Sequence, residues 1–335
     1  MDFPSSAIGQ YVLQTYLHSV IIAIVIEAII AFWHLQRPRI QVRFRLLVLL
    51  PGLYLPLFNL LYPPRSGIFF HQAVAIFDFS QWLRLRLVGG LALWHLLAAM
   101  LALTALYFLL REAIPTARHY LGHHHRLPTV NDGQFPKLDS VLDSLSRHRG
   151  FPKPLVLLSP EAHPIIYTMD RRRLVLSASV INTLDTDELE AVIAHELAHF
   201  TREIYITGWI CLVLRFLTFY NPVALIVFRR IINDSEKTCD DMAIATTGKR
   251  LALASGLLKV FLHSAATTQA AIPSEDDRWL RLSPRLSALE DRASRELLKE
   301  RVERTLHPEE DGVSHPNPRL AATAILLATL LFFVV

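Results

Sequence analysis

The chain has 335 residues, of which 52% are hydrophobic and only 19% charged, with a mean hydropathy of +0.32. An average soluble domain carries about 25% charged residues, and here the shortfall is concentrated in a few long apolar runs, which excludes a disordered chain, a collagen-like fibre and a plain cytosolic enzyme. The net charge of +4 comes from 34 basic residues dispersed among 30 acids, so no nucleic-acid-binding face is expected. Cys211 and Cys239 are the only cysteines and lack the spacing of a disulfide framework. The composition is that of a membrane protein with a water-facing part.

About 20 mainly apolar residues are needed to cross the hydrocarbon layer as a helix. Tyr11 to Trp33 is the first such run, and it reads as an anchor because neither a preceding Lys or Arg nor a following small-residue cleavage site marks it as a signal peptide. Arg37, Arg39, Arg43 and Arg45 follow it, which predicts a cytoplasmic loop and an N-terminus outside. A second span is expected over 46–62, kinked by Pro51 and Pro56, and a third over 87–110, returning the chain to the cytoplasm at Arg111. Residues 112–318 then form a cytoplasmic domain, and 319–335 a short fourth span.

Within that domain, Pro154 to Ser159, Pro164 to Thr168 and Leu174 to Ser177 read as short strands, with Met169 to Arg172 turning between the last two. They lead into Ala191 to Phe200, which contains His195, Glu196 and His199 in the pattern H-E-x-x-H. On a helix, residues four apart share a face, so both imidazoles can reach one metal ion while Glu196 stands beside a metal-bound water. About 0.03 matches of this form are expected by chance in a chain with 15 His and 15 Glu. Asp185 with Glu188 gives a capping-box start, and Leu189, Val192, Ile193, Leu197 and Phe200 recur at helical spacing.

A catalytic zinc takes three protein ligands and keeps one position open. The metzincin spacing is absent, since Arg202 stands where glycine would be. A later carboxylate is the alternative: Glu236 is the expected third ligand and Asp240, four residues on, the carboxylate that would fix a ligand imidazole in its tautomer, with Asp240 or Asp241 as rival ligands. If so, the apolar stretch 204–228 between the motifs cannot cross the membrane once. It must enter and return, or lie on the surface, and Asn221-Pro222 supplies the break for a hairpin. Arg215 in its middle disfavours a simple lipid-exposed crossing.

His-Glu-Leu-Ala-His (195–199), Phe-Tyr-Asn-Pro (219–222) and Glu-x-x-Cys-Asp (236–240) together resemble the BlaR/MecR-type membrane metallopeptidases, and the similarity runs from about Val156 to the helical 297–304. The resemblance implies an α-helical membrane protein with an α+β gluzincin-type zinc peptidase domain. It implies Zn²⁺ held by His195, His199 and Glu236, with Glu196 as general base. It also implies a bacterial plasma-membrane endopeptidase in regulated proteolysis, acting on a protein or peptide substrate, with the lipid bilayer and a paired transcriptional repressor as partners. The antibiotic sensors of that family carry a penicillin-binding domain after their last span, which is not expected here because the sequence ends at Val335. HtpX-type and CAAX-type membrane proteases are similar too, but they usually place two full spans between the motifs, where only 36 residues separate His199 from Glu236 here.

Other features read more plainly. Arg301, His307, His315 and Arg319 are donors that by type could stabilise an oxyanion. His119 and His123 to His125 flank arginines and suit a juxtamembrane basic segment better than a second metal site. Residues 264–277 are expected as a surface loop and 290–310 as an exposed, charge-laced helix.

Overall fold

The computed structural model describes residues 7–53, 85–86, 92–114, 127–131, 133–149, 153–160, 166–168, 173–270, 284–306 and, near the C-terminus, 318, 322–323 and 325–326. The histidines at 119–125, the turn at 169–172, His307, His315, Arg319 and most of 319–335 lie outside these residues. The chain forms two compact units: 1–116 with 209–234 and 311–335, and 117–208 with 235–310.

In the first unit, α1 spans Ala7–Phe32 and α2 Pro38–Leu49. The stretch expected as a cytoplasmic loop is therefore helical. Pro38 sits at its first turn, where its missing N–H is no loss, and arginine is a good helix former. The two helices run side by side, with the Ser19 hydroxyl donating to the Val48 carbonyl at 3.3 Å and the Tyr11 hydroxyl to that of Gly52 at 3.3 Å. Ile22, Ile26, Phe44, Val48 and Leu49 pack with Cys211, Leu214, Ala224, Val227 and Ile231 in one apolar core. Beside it, Arg45 binds Glu27 through Nε and Nη2 (2.9 and 3.1 Å) and Asp234 through Nη1, while Arg230 reaches Glu27 at 2.8 Å. Helix α3, Leu93–Phe108, continues into one π-helical turn, Leu109–Ala113. Tyr11–Phe32 and Leu93–Ala113 are long and apolar enough to cross a membrane. The expected second span, 46–62, falls mostly outside the described residues.

The second unit begins with α4, Pro136–Arg149, followed by β1, Leu155–Ser159, β2, Ile166–Thr168, and β3, Arg173–Ser177. The sheet order is β1-β3-β2, with β3 parallel to β1 and antiparallel to β2. Residues 128–130 close the outer side of β1: Val130 N–H donates to Val156 at 3.0 Å and Leu158 N–H to Pro128 at 2.9 Å. Then come α5, Ala178–Thr183, and α6, Thr186–Ala198. Helix α6 starts as its sequence dictates, the Asp185 carboxylate accepting from Glu188 N–H at 2.8 Å and the Glu188 carboxylate from Asp185 N–H at 2.9 Å. Leu189, Val192, Ile193 and Leu197 enter a core with Leu138, Leu145, Val156, Leu174, Leu176, Val180 and Leu253.

Two further helices, α7 (Arg202–Leu217) and α8 (Pro222–Thr247), are separated at Asn221-Pro222. Helix α9, Arg250–Ala270, lies along α6. A Cβ at Gly256 would stand 2.7 Å from Val192 Cγ2, so glycine permits that approach. The expected loop at 264–277 is helical as far as Ala270, because its alanines propagate a helix already nucleated by the apolar turns before it. Helix α10, Pro284–Leu306, carries the charged run, and Arg295 to Leu297 are exposed on it.

A candidate metal centre at the end of α6

Helix α6 delivers its two histidines differently. His195 is 3% exposed in the last turn, and His199 caps the C-terminus with its ring partly open. The rings lie 5.2 Å apart, inclined at 80°. Helix α8 supplies the carboxylates from one face, as the i, i+4 spacing of Glu236 and Asp240 requires. Glu236 Oε2 is 3.4 Å from His195 Nε2, and its Oε1 is 3.7 Å from His199 Nε2. Asp240 Oδ1 is 2.9 Å from His195 Nδ1, a charge contact that lies off the ring N–H direction and is not an aligned hydrogen bond. Glu196 is half-buried on the same turn. Asp241 is exposed and is held by Arg304 at 2.7 Å.

Arg301 was one of four donors by type. The structure makes it a clamp on the carboxylates: Nε and Nη2 each donate to Asp240 at 2.8 Å, and Nη1 stands 3.2 Å from Glu236. Nothing in its sequence spacing singled it out, because it lies 61 residues from Asp240. The fork geometry suits arginine and not lysine. Cys239, fully buried, places Sγ 3.5 Å from His199 Nδ1.

The electrostatics are those of a site with surplus negative charge. Burial opposes charge on His195, yet Asp240 and Glu236 hold its proton and raise its pKa to about 10. The same burial would raise Glu236 and Asp240, but His195 and Arg301 hold each carboxyl down at about 2. Burial depresses His199. Burial, with the carboxylates of Glu236, Asp240 and Glu196, pushes the Cys239 thiol upward and leaves it unreactive.

The donor set fits a zinc ion. One nitrogen from each histidine and one oxygen of Glu236 lie within 4.8 Å of one another. Tetrahedral ligands at about 2.0–2.1 Å from zinc stand roughly 3.3–3.4 Å apart, close to the 3.4 Å between His195 and Glu236.

A mostly helical chain with a small mixed sheet, apolar helices of membrane length and this donor cluster is consistent with a membrane metallopeptidase, the class that the family match supports. The profile described as BlaR1 peptidase M56 matches residues 92–289, more than half of the chain, and the chain belongs to that family. Curated relatives agree. A protease HtpX homolog of Methanothermobacter thermautotrophicus is 34% identical over 74 residues, 21% of this chain and 29% of its own length. One from Salinibacter ruber is 27% identical over 157 residues, 38% of this chain and 57% of its own length. The methicillin resistance mecR1 protein of Staphylococcus aureus is 30% identical over 78 residues, 23% of this chain and 13% of its own length. The matches thus span less than two thirds of each of these relatives.

Proposed function

We propose that the chain is a zinc-dependent endopeptidase of the bacterial plasma membrane. Its zinc domain, 112–318, lies on the cytoplasmic side, its N-terminus outside, and it cuts a regulatory or membrane protein. The observation that carries this is the meeting of His195, His199 and Glu236 donor atoms beside Glu196, on two helices whose spacing brings them to one point. His195, His199 and Glu236 would hold the ion, Asp240 would orient His195, and Arg301 would fix both carboxylates. Bound zinc supplies a Lewis acid for the scissile carbonyl and a water acidified to a pKa of about 7.

Glu196 is the general base: it takes the proton of the attacking water and passes it to the leaving amine. Substrate chain would lie against β2. Among the described residues β2 is paired on one side only, with β3, whereas β1 is already flanked by 128–130, and Tyr167 is exposed on β2. An edge of this kind accepts an extended peptide through main-chain hydrogen bonds. The resemblance to MecR-type sensors supports a signalling substrate such as a transcriptional repressor, and the HtpX relatives support a quality-control protease instead.

Glu196→Gln in detergent-solubilised full-length protein tests the reading. Cleavage of a casein or peptide-library substrate should fall by about 10²- to 10⁴-fold, the usual contribution of a general base, with zinc content unchanged. Equal cleavage by wild type and E196Q would leave a zinc-binding membrane protein without peptidase chemistry. A screen of membrane and soluble substrates then separates the two roles.

A further inference from the structure

The stretch between the two zinc motifs was left open by the sequence, as a surface segment or an inserted one. Its part within the first unit, 209–234, bears on that choice. From Trp209 to Phe228, Arg215 is the only charged residue. Trp209, Ile210, Val213 and Phe216 on α7 are 44–54% exposed, as is Ile226 on α8 at 54%. The opposite face, with Cys211, Leu214, Ala224 and Val227, is buried against α1 and α2. The polar residues Arg215, Thr218 and Asn221 are buried and take no part in the exposed face. Arg215 is fully buried, its guanidinium 3.3 Å from Glu112 and 4.5 Å over the Phe108 ring.

A second observation concerns the turn. Among the residues joining α7 to α8, Thr218 and Asn221 turn their polar groups inward and bond them within the protein. Thr218 N–H and hydroxyl both donate to the Leu214 carbonyl (3.0 and 2.8 Å), and Asn221 N–H donates to Thr218 at 2.8 Å. The Asn221 carboxamide oxygen accepts from Val223 and Ala224 N–H (3.0 and 3.3 Å), while its amide donates to the Ser19 hydroxyl at 3.0 Å. Thr218 and Asn221 are fully buried. A turn in water needs no such closure, whereas a turn in hydrocarbon does. Ser19 lies 13 residues before the end of α1, so the turn meets α1 about 20 Å from Phe32 at 1.5 Å per residue. Charges return only at Arg229, bonded to the Tyr107 hydroxyl, and Arg230, at 2.8 Å from Glu27.

We propose that Trp209–Asp234 is a re-entrant helical hairpin whose outer faces contact lipid acyl chains from Trp209 to Phe228, with its tip at the middle of the α1 span. It leaves the bilayer on the side it entered, and it stands independently of whether the metal centre is catalytic. The occupant is lipid and not a second copy of the chain. Between Trp209 and Phe228 the exposed residues of both helices are all apolar, and they belong to the unit that contains the two membrane-length helices found among the described residues.

The test places a nitroxide at V213C and, separately, at I226C in full-length protein, one chain per lipid nanodisc. The lipid reference is I24C on α1 and the water reference K299C on α10. Wild type taken through the same labelling gives the background of the two buried native thiols. Collisions with oxygen should exceed those with a water-soluble nickel chelate at both positions, in the ratio found at I24C. A ratio like that of K299C would overturn the proposal in favour of a hairpin lying in water. Low collision with both reagents in single-chain discs would overturn it in favour of a face covered by protein. Should either cysteine variant fail to fold, quenching of native Trp209 by brominated acyl chains, read against Trp209→Phe, gives the same decision: quenching supports insertion and its absence rejects it.

Discussion

Each unit buries an arginine between two carboxylates, and the two clusters are built almost alike. Arg45 grips Glu27 with Nε and Nη2 and reaches Asp234 with Nη1. Arg301 grips Asp240 with Nε and Nη2 and reaches Glu236 with Nη1. What differs is the balance. In the first unit Arg230 joins Arg45, so among the bonded residues described two cations meet two anions. In the second, Arg301 is the one arginine or lysine bonded to Glu236 and Asp240 among the described residues, with Glu196 close by, and a proton on His195 adds positive charge. A balanced cluster fastens helices together, whereas an unbalanced one lined with nitrogen donors invites a divalent cation.

Removing each arginine breaks the comparison most directly. Arg45→Met and Arg301→Met each strand buried carboxylates, and each should lower stability by about 3–5 kcal/mol, read as the denaturant midpoint in detergent. Only Arg301→Met should also weaken zinc, by about 10- to 100-fold as for other groups that orient metal ligands. If Arg45→Met weakened zinc as much, the two clusters would not differ in kind. A subtler consequence concerns protons. With His195 held protonated up to about pH 10 in the metal-free protein, zinc uptake at pH 7.5 should release about one proton from that ring. Calorimetry in buffers of different ionisation enthalpy measures it, and release of none would remove the protonated state from the comparison.

The smallest effect separates the site from its scaffold. Glu188 is held below the usual carboxylate range: burial acts against it, but Lys259, the Ser255 hydroxyl at 2.6 Å and the Asp185 N–H prevail. A carboxylate with a depressed folded pKa stabilises the protein above its unfolded pKa of about 4.3, and that stability drains away as pH falls further through the folded pKa. Unfolding of wild type should therefore become easier below about pH 4, and Glu188→Gln should flatten that part of the profile while lowering stability at pH 7. An unchanged acid limb in the variant would assign the acid sensitivity elsewhere.

What the sequence made legible follows from how local each feature is. The start of α6 is written in six residues, Asp185 to Glu190, and the strands in runs of Val, Leu and Ile bounded by turn residues, so both were readable. Glu236 and Asp240 were found because four-residue spacing shows on any helix. Arg301 was not distinguishable, since its partners lie on another helix and no spacing rule links α10 to α8. The arginines after α1 read as a loop by their charge, although Pro38 suits the first turn of a helix, and the burial of Arg45 beside Asp234, 189 residues away, is invisible from sequence. Glu188 shows both sides. Its cap to Asp185 was legible, but its bridge to Ser255 and Lys259 on α9 was not.

His199 closes α6 as its C-cap. The aligned peptide dipoles of a helix leave a partial negative charge of about half an elementary unit at its C-terminal end, so the backbone itself adds to the attraction that Glu236 and Asp240 exert on a cation. Shortening or fraying that last turn would weaken ion capture even with every ligand side chain intact, because the field at the site belongs partly to the peptide groups that end there.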